Sequence, residues 1–229
     1  MTSSGTYAFG PSSGGLVIAA YERCQIRAPS LRQEHFATAR NELNFLFSEF
    51  SNKQVNLWKV ELISLTLVDG TASYDVPGRV VMILDAYLRV NDGEDDQTDR
   101  YIMPISRTDY ASYAAKQTEG LPTVYWFNRQ ISPTITVYPV INDSGYLLNY
   151  YACSQIQDAA MAGGETPDVP YLWLDALVAG LAHRLARVYA PQLEPSRKMD
   201  AKEAWDIAAA QNIENVPVVL APGIGRYYR

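Results

Sequence analysis

FATARNELNFLFSEFSNKQVNLWKVELISLTL, running from Phe36 to Leu67, changes its period part-way along, and that change decides the fold. In the first half Phe36, Ala39, Leu43, Leu46, Phe47 and Phe50 recur at three and four residues, which is one face of a helix. From Trp58 the period drops to two. Trp58, Val60 and Leu62 share one face, and Ile63, Leu65 and Leu67 continue one step out of phase, as a β-bulge would require. A helix therefore hands over to a sheet near residue 54.

Upstream, Ser30 and Gln33 behind Pro29 have the form of a capping box for that helix. A shorter helix is expected over roughly Ser13 to Arg27, with Val17, Ala20, Tyr21 and Cys24 facing inward. Downstream, Asp69-Gly70 reads as a hairpin turn. Val80, Met82, Leu84, Ala86, Leu88 and Val90 alternate with Val81, Ile83, Asp85, Tyr87 and Arg89 to give the longest strand. Further strands fit Arg100 to Ile105, Thr123 to Phe127, Thr134 to Val140 and Tyr146 to Cys153, with a short helix over Ser106 to Lys116.

Helical period returns after the loop Asp158 to Pro167. Asp168 is placed to cap a helix with Pro170 in its first turn and Leu174, Leu177, Val178, Leu181, Leu185 and Val188 as its stripe. Pro195 opens another helix, to about Asn212, carrying Met199, Ala201, Ala204, Trp205 and Ala208. Val216 to Arg229, with two prolines and two glycines, is expected to be extended. The fold class predicted is α+β. An α-helical bundle (13–53 and 168–212) is formed by the N- and C-terminal helices around an inserted antiparallel β-sheet or sandwich domain (54–157). A flexible leader (1–12) and an extended C-terminal tail (213–229) flank it.

The chain's 229 residues, 48% hydrophobic and 19% charged, supply ample apolar mass for a core and exclude general disorder. Nineteen Lys and Arg against 25 Asp and Glu leave a net charge of −6, which argues against a grip on nucleic acid and favours a protein partner. Residues 54–157 hold 7 basic and 12 acidic residues, nearly all of the excess. No stretch approaches the 18 apolar residues of a membrane span, and no secretory signal is expected at the Ser- and Gly-rich start.

Chemistry-bearing patterns are sparse. Cys24 and Cys153 read as small buried hydrophobes rather than a disulfide framework, and His35 and His183 sit in no zinc spacing, so no metal or cofactor is expected. Neither histidine is placed as a base for a Ser-His-Asp set, and no phosphate-binding glycine loop occurs. Asp92-Gly-Glu94-Asp95-Asp96-Gln-Thr-Asp99 offers five carboxylates in eight residues. Gly93 stands second rather than sixth, and Met103 stands where a bidentate Glu belongs, so the EF-hand pattern fails and a solvated hairpin tip is expected. Strand tyrosines such as Tyr125, Tyr138, Tyr150 and Tyr151 could stack a sugar or a base, although packing is their commoner fate.

The order of pieces resembles a known family. The helix Ser30 to Phe50 is followed by Leu65-Thr-Leu-Val-Asp-Gly-Thr-Ala-Ser-Tyr74-Asp-Val-Pro77, then Ile105-Ser-Arg-Thr-Asp109-Tyr110 and Gly120-Leu-Pro122-Thr-Val-Tyr125-Trp126. Ile135-Thr-Val137-Tyr138-Pro139 and Val169-Pro170, leading into an Ala- and Leu-rich helix, complete the series. Together they are similar to the head-to-tail adaptor proteins of short-tailed bacteriophages, also called tail accessory or packaged-DNA stabilisation proteins. The resemblance spans roughly Ser30 to Asn212, and the Ser- and Gly-rich leader and the acidic run Asp92 to Asp99 depart from it.

The resemblance implies a structural virion protein with no catalysis. It implies a homo-oligomeric ring of twelve copies at the portal vertex, joining the portal protein to tail nozzle or tail fibre proteins. DNA would pass through the lumen without sequence-specific binding. Such a protein is made in the host cytoplasm and carried in the virion, away from any membrane. The apolar, aromatic tail is the candidate partner-docking segment, with Val218, Val219, Leu220, Ile224, Tyr227 and Tyr228 to fill pockets and Arg226 and Arg229 to meet carboxylates. The alternatives weighed are a ligand-binding virion module that grips a carbohydrate or tail fibre through its tyrosines, and a cell-wall glycosidase using a carboxylate pair.

Overall fold

The computed structural model describes residues 3–143, 145–160 and 164–214. Helix α1 (Ser13–Arg23) starts where the Ser12 Oγ accepts the Gly15 N–H at 3.2 Å. It stops four residues before the expected Arg27, because Gln25 takes a φ of 64° and the Ile26 N–H returns to the Tyr21 carbonyl. The expected Ser30 cap is absent. Ser30 belongs to a 3-10 turn over Ala28–Ser30, and its hydroxyl donates to the Arg27 carbonyl at 2.6 Å. Helix α2 (Gln33–Lys53) begins three residues later, where the His35 Nδ1 accepts the Arg32 N–H at 3.1 Å.

Helix α4 (Leu174–Tyr189) also starts later than its pattern predicts, after a 3-10 turn over Tyr171–Trp173. Asp168 does not cap it. Its carboxylate instead holds the Lys59 ammonium at 2.6 Å and accepts the Gln157 N–H at 3.2 Å, tying the start of the sheet to the approach of α4. Helix α5 (Glu194–Ala210) follows a 3-10 turn over Pro191–Leu193. Leu43, Leu46, Phe47 and Phe50 of α2, Leu16, Val17 and Ala20 of α1, and Leu177, Leu181 and Leu185 of α4 form one buried cluster, with Phe36 packed against it. Val188, assigned to the stripe of α4, is exposed, as is Met199 on α5.

A second buried cluster belongs to a seven-stranded sheet in the order β1-β7-β3-β4-β5-β6-β2. The strands are β1 (Val60–Thr66), β2 (Ser73–Asp75), β3 (Val80–Val90), β4 (Thr98–Pro104), β5 (Val124–Asn128), β6 (Thr134–Tyr138) and β7 (Leu147–Ser154). The sheet is mixed rather than antiparallel throughout. β4 and β5 run parallel, since the chain between them returns through the short helix α3 (Arg107–Ser112), capped by Ser106 and Asp109. Thr98 to Ile102 of β4 pair with β3 and Met103 and Pro104 pair with β5, so β4 joins the two halves of a curled sheet. Leu67, Leu88, Ile102, Ile135 and Leu148 fill its inside.

Two expectations for the sheet change. The phase shift before Ile63 is not a bulge. Leu57–Lys59 forms a 3-10 turn, and β1 then pairs with β7 in unbroken register from Val60↔Cys153 to Thr66↔Leu147. The irregularities lie in β3, between Val80 and Met82 and between Ile83 and Asp85. Asp69-Gly70 makes a turn but no hairpin, because β1 and β2 occupy opposite ends of the sheet order.

Candidate interaction surfaces

The eight residues singled out for partner docking, Val218, Val219, Leu220, Ile224, Arg226, Tyr227, Tyr228 and Arg229, lie outside the described residues, as does most of the expected extended tail. What the structure describes is the anchor just before it. The Asn212 side chain accepts the Leu57 N–H at 3.2 Å and donates to the Val55 carbonyl at 2.6 Å, fixing the end of α5 beside the entry to β1.

A groove of about 450 Å³ opens between α2, α4 and α5. Its floor is apolar, made by Leu46, Phe50, Gly180 and Trp205 with Met199, 73% exposed, at its lip. Its rim is cationic. Arg184 pairs with Glu42 at 3.2 Å and Glu49 at 2.6 Å, and the Lys53 ammonium meets Glu49 at 2.8 Å while lying 4.3 Å from the Trp205 ring centre. Burial pushes the Glu49 carboxyl up, but hydrogen bonds from Lys53 and Arg184 outweigh it and hold the group below the ordinary glutamate value. Arg187, Lys198 and Lys202 are exposed and form no ion pair among the described residues. His183 contributes a 2.9 Å contact to Glu194, and this bond lowers the Glu194 carboxyl.

The acidic run forms the tip of the β3–β4 hairpin. At its base the Arg89 guanidinium grips Asp99 with two bonds of 2.8 and 2.9 Å, which hold that carboxyl below its usual range, and it reaches Asp92 at 3.4 Å. The Asn91 side chain donates to Asp96 at 2.8 Å, and Gly93, with a φ of 83°, donates its N–H to the Gln97 side chain. Every residue from Asn91 to Tyr101 is exposed. Along β4, Tyr101 (57% exposed) and Met103 (59%) stand two residues apart on the same face as the Arg89-bound Asp99, so exposed apolar side chains follow the acidic tip along the strand.

The other weighed residues take structural positions. Cys24 and Cys153 are buried and unbridged, and burial raises the Cys24 thiol. His35 stacks on Tyr189 with ring centres 5.1 Å apart. Tyr125 and Tyr150 are buried, and burial raises the Tyr125 hydroxyl to about 12. Tyr138 stacks on Tyr113 at 4.4 Å, and Trp126 stacks on Tyr110 at 5.5 Å. These contacts bind α3 to β5 and β6, and of the strand tyrosines weighed as a ligand platform only Tyr151 is exposed. No group of three or more potential metal ligands occurs among the described residues, and none of their helices is long and apolar enough to cross a membrane.

Sequence periodicity missed the groove, because its residues come from three helices. The spacing Arg184/Arg187 and Lys198/Lys202, with Met199 and Trp205 between and after, was the available signal for a basic face over an apolar one. Among known proteins, the family model described as SU10 adaptor protein matches residues 32–218, well over half of the chain. A search of curated proteins finds no match.

Proposed function

The chain belongs to the SU10 adaptor protein family and is a phage head-to-tail adaptor protein; from that premise we propose that its copies form a twelve-membered ring under the portal, which lines part of the DNA conduit. The observation that supports the adaptor role from which this reading starts is the match over residues 32–218, which covers the sheet and helices α2, α4 and α5. In this reading the helical part (13–53 and 168–212) and the inserted β part (54–157) act as two modules of one subunit. The tail then reaches the portal or the next subunit, placing Val218, Val219, Leu220, Ile224, Tyr227 and Tyr228 in apolar pockets and Arg226 and Arg229 on carboxylates. The net charge of −6 suits a wall that phosphates slide past, where a basic lumen would retain them. The role is structural and involves no catalytic group.

Imaging of intact virions, combined with the ratio of adaptor to portal protein in purified particles, tests the proposal. The expected result is a closed ring at the head-tail junction with one adaptor copy per portal subunit. Density confined to a fibre, or one or a few copies per particle, would overturn it.

A further inference from the structure

We propose that the acidic β3–β4 hairpin of one copy seats in the cationic groove between α2, α4 and α5 of the next copy, so that a single repeated contact builds the ring. This deepens the proposed ring reading and rests on it. The two surfaces match in both respects that matter for docking. The groove sets Arg187, Lys198 and Lys202, free of ion pairs among the described residues, around a floor of Leu46, Phe50 and Trp205. The hairpin sets Glu94, Asp95 and Asp96 ahead of the exposed Tyr101 and Met103. Carboxylates would meet the rim while an aromatic or thioether side chain covers the floor.

The geometry points to two copies. β3 starts beside α2, where Val81 borders a crevice with Phe47, Ser48 and Ser51. Its eleven residues then carry the chain about 33 Å before the tip begins, and the buried residues of β3 and β4 pack in the cluster of the sheet and not in that of the helices, so the tip is placed for the groove of another copy. Joining two different surfaces of one subunit is a head-to-tail contact, and such contacts close into rings when the rotation per copy allows. The chain's own tail is a poor occupant, because residues 215–229 carry Arg226 and Arg229 but no Asp or Glu. Like charges would face each other across the rim.

The test is made in assembled virions, with the full chain. Particles carrying Glu94→Cys and Lys202→Cys in the same adaptor are treated with a short bismaleimide and run on a denaturing gel. Wild-type particles serve as the control, since Cys24 and Cys153 are buried. A ladder of dimers, trimers and higher multiples of the adaptor supports the contact. Monomer alone, links confined to one chain, or links to the portal in its place, from particles with a normal adaptor content, overturn it while leaving the ring itself intact. Loss of the ring proposal would show separately, as too few adaptor copies per particle.

Charge reversal covers the case in which the cysteine variant fails to assemble. Lys198→Glu with Lys202→Glu, and Glu94→Lys with Asp95→Lys, should each lower adaptor incorporation roughly tenfold, and the four changes together should restore it. Full incorporation of each reversed pair, or no recovery in the combination, overturns the hairpin as the occupant of the groove.

Discussion

Gly180 on α4 faces Leu46 on α2 so closely that a Cβ at Gly180 would lie 3.0 Å from both Leu46 methyl carbons. The two helices approach at this point because one of them has no side chain there. Leu46 also borders the groove, so it has room to turn aside for one methyl group but not for a branched side chain.

Gly180→Ala should therefore lie within about 1 kcal/mol of wild type, since the helix-propensity gain of alanine offsets the crowding of Leu46. Gly180→Val should destabilise by about 1–3 kcal/mol. Urea unfolding of both variants checks this, and a valine variant as stable as wild type would show that the helices part freely.

Leu181 is fully buried in the helical cluster. Leu181→Ala should cost about 2–5 kcal/mol through lost burial and the cavity left behind. Equilibrium denaturation that shows a loss under about 0.5 kcal/mol would mean that Leu181 does not anchor the contact between α2 and α4.

The Glu49 carboxyl is held below its ordinary value by Lys53 and Arg184, although burial opposes them. A lowered value means that the stabilisation is complete above the unfolded glutamate value of about 4.3 and fades as pH falls through the folded one. Melting temperatures of wild type and Glu49→Gln should thus converge as the solution is acidified from about pH 6 to pH 3. A gap that stays constant or widens over that range would contradict the link.

Lys59 is mostly buried, and Asp168 is its only ion-pair partner among the described residues. Asp168→Asn should cost about 1–3 kcal/mol, because it leaves a largely desolvated ammonium without its counter-charge. Lys59→Met should cost less, since the partly exposed carboxylate keeps the Gln157 N–H and water. Thermal melts of the two variants give the order, and the reverse order would refute the argument.

Deleting residues 216–229 should leave a folded subunit, because the bonds from Asn212 to Leu57 and Val55 remain. Occupancy of the portal vertex should nonetheless fall, so that particles lose DNA or lack tails. Circular dichroism of the truncated protein and quantitation of adaptor in particles separate the two effects. Wild-type occupancy would remove the tail from the docking role.

The helical stripes were legible because burial on one face imposes a period that any window of sequence displays, as Leu43, Phe47 and Leu181 do. Ends of elements were less so. Asp168 has the composition of a cap, but its partner Lys59 lies more than a hundred residues away, and an ion pair across that span leaves no local trace. Ser30 was likewise taken up by a 3-10 turn, while a histidine ring did the capping at Arg32. The step from Trp58 to Ile63 reads the same whether a bulge or a tight turn shifts the phase. Strand order escaped altogether, since the pairing of β1 with β7 depends on residues at opposite ends of the insert. The groove escaped for a related reason, being a property of three helices at once.

The register Val60↔Cys153 sets the place where the chain leaves the helices beside the place where it returns. Most of what lies between hangs from these two strands, with the start of β3 beside α2 as a third point of contact. A pull on the distant hairpin would accordingly reach the helices along β1 and β7 side by side, each strand carrying part of the tension. Loops at the far end of the sheet can therefore change length or charge without displacing α2 or α4.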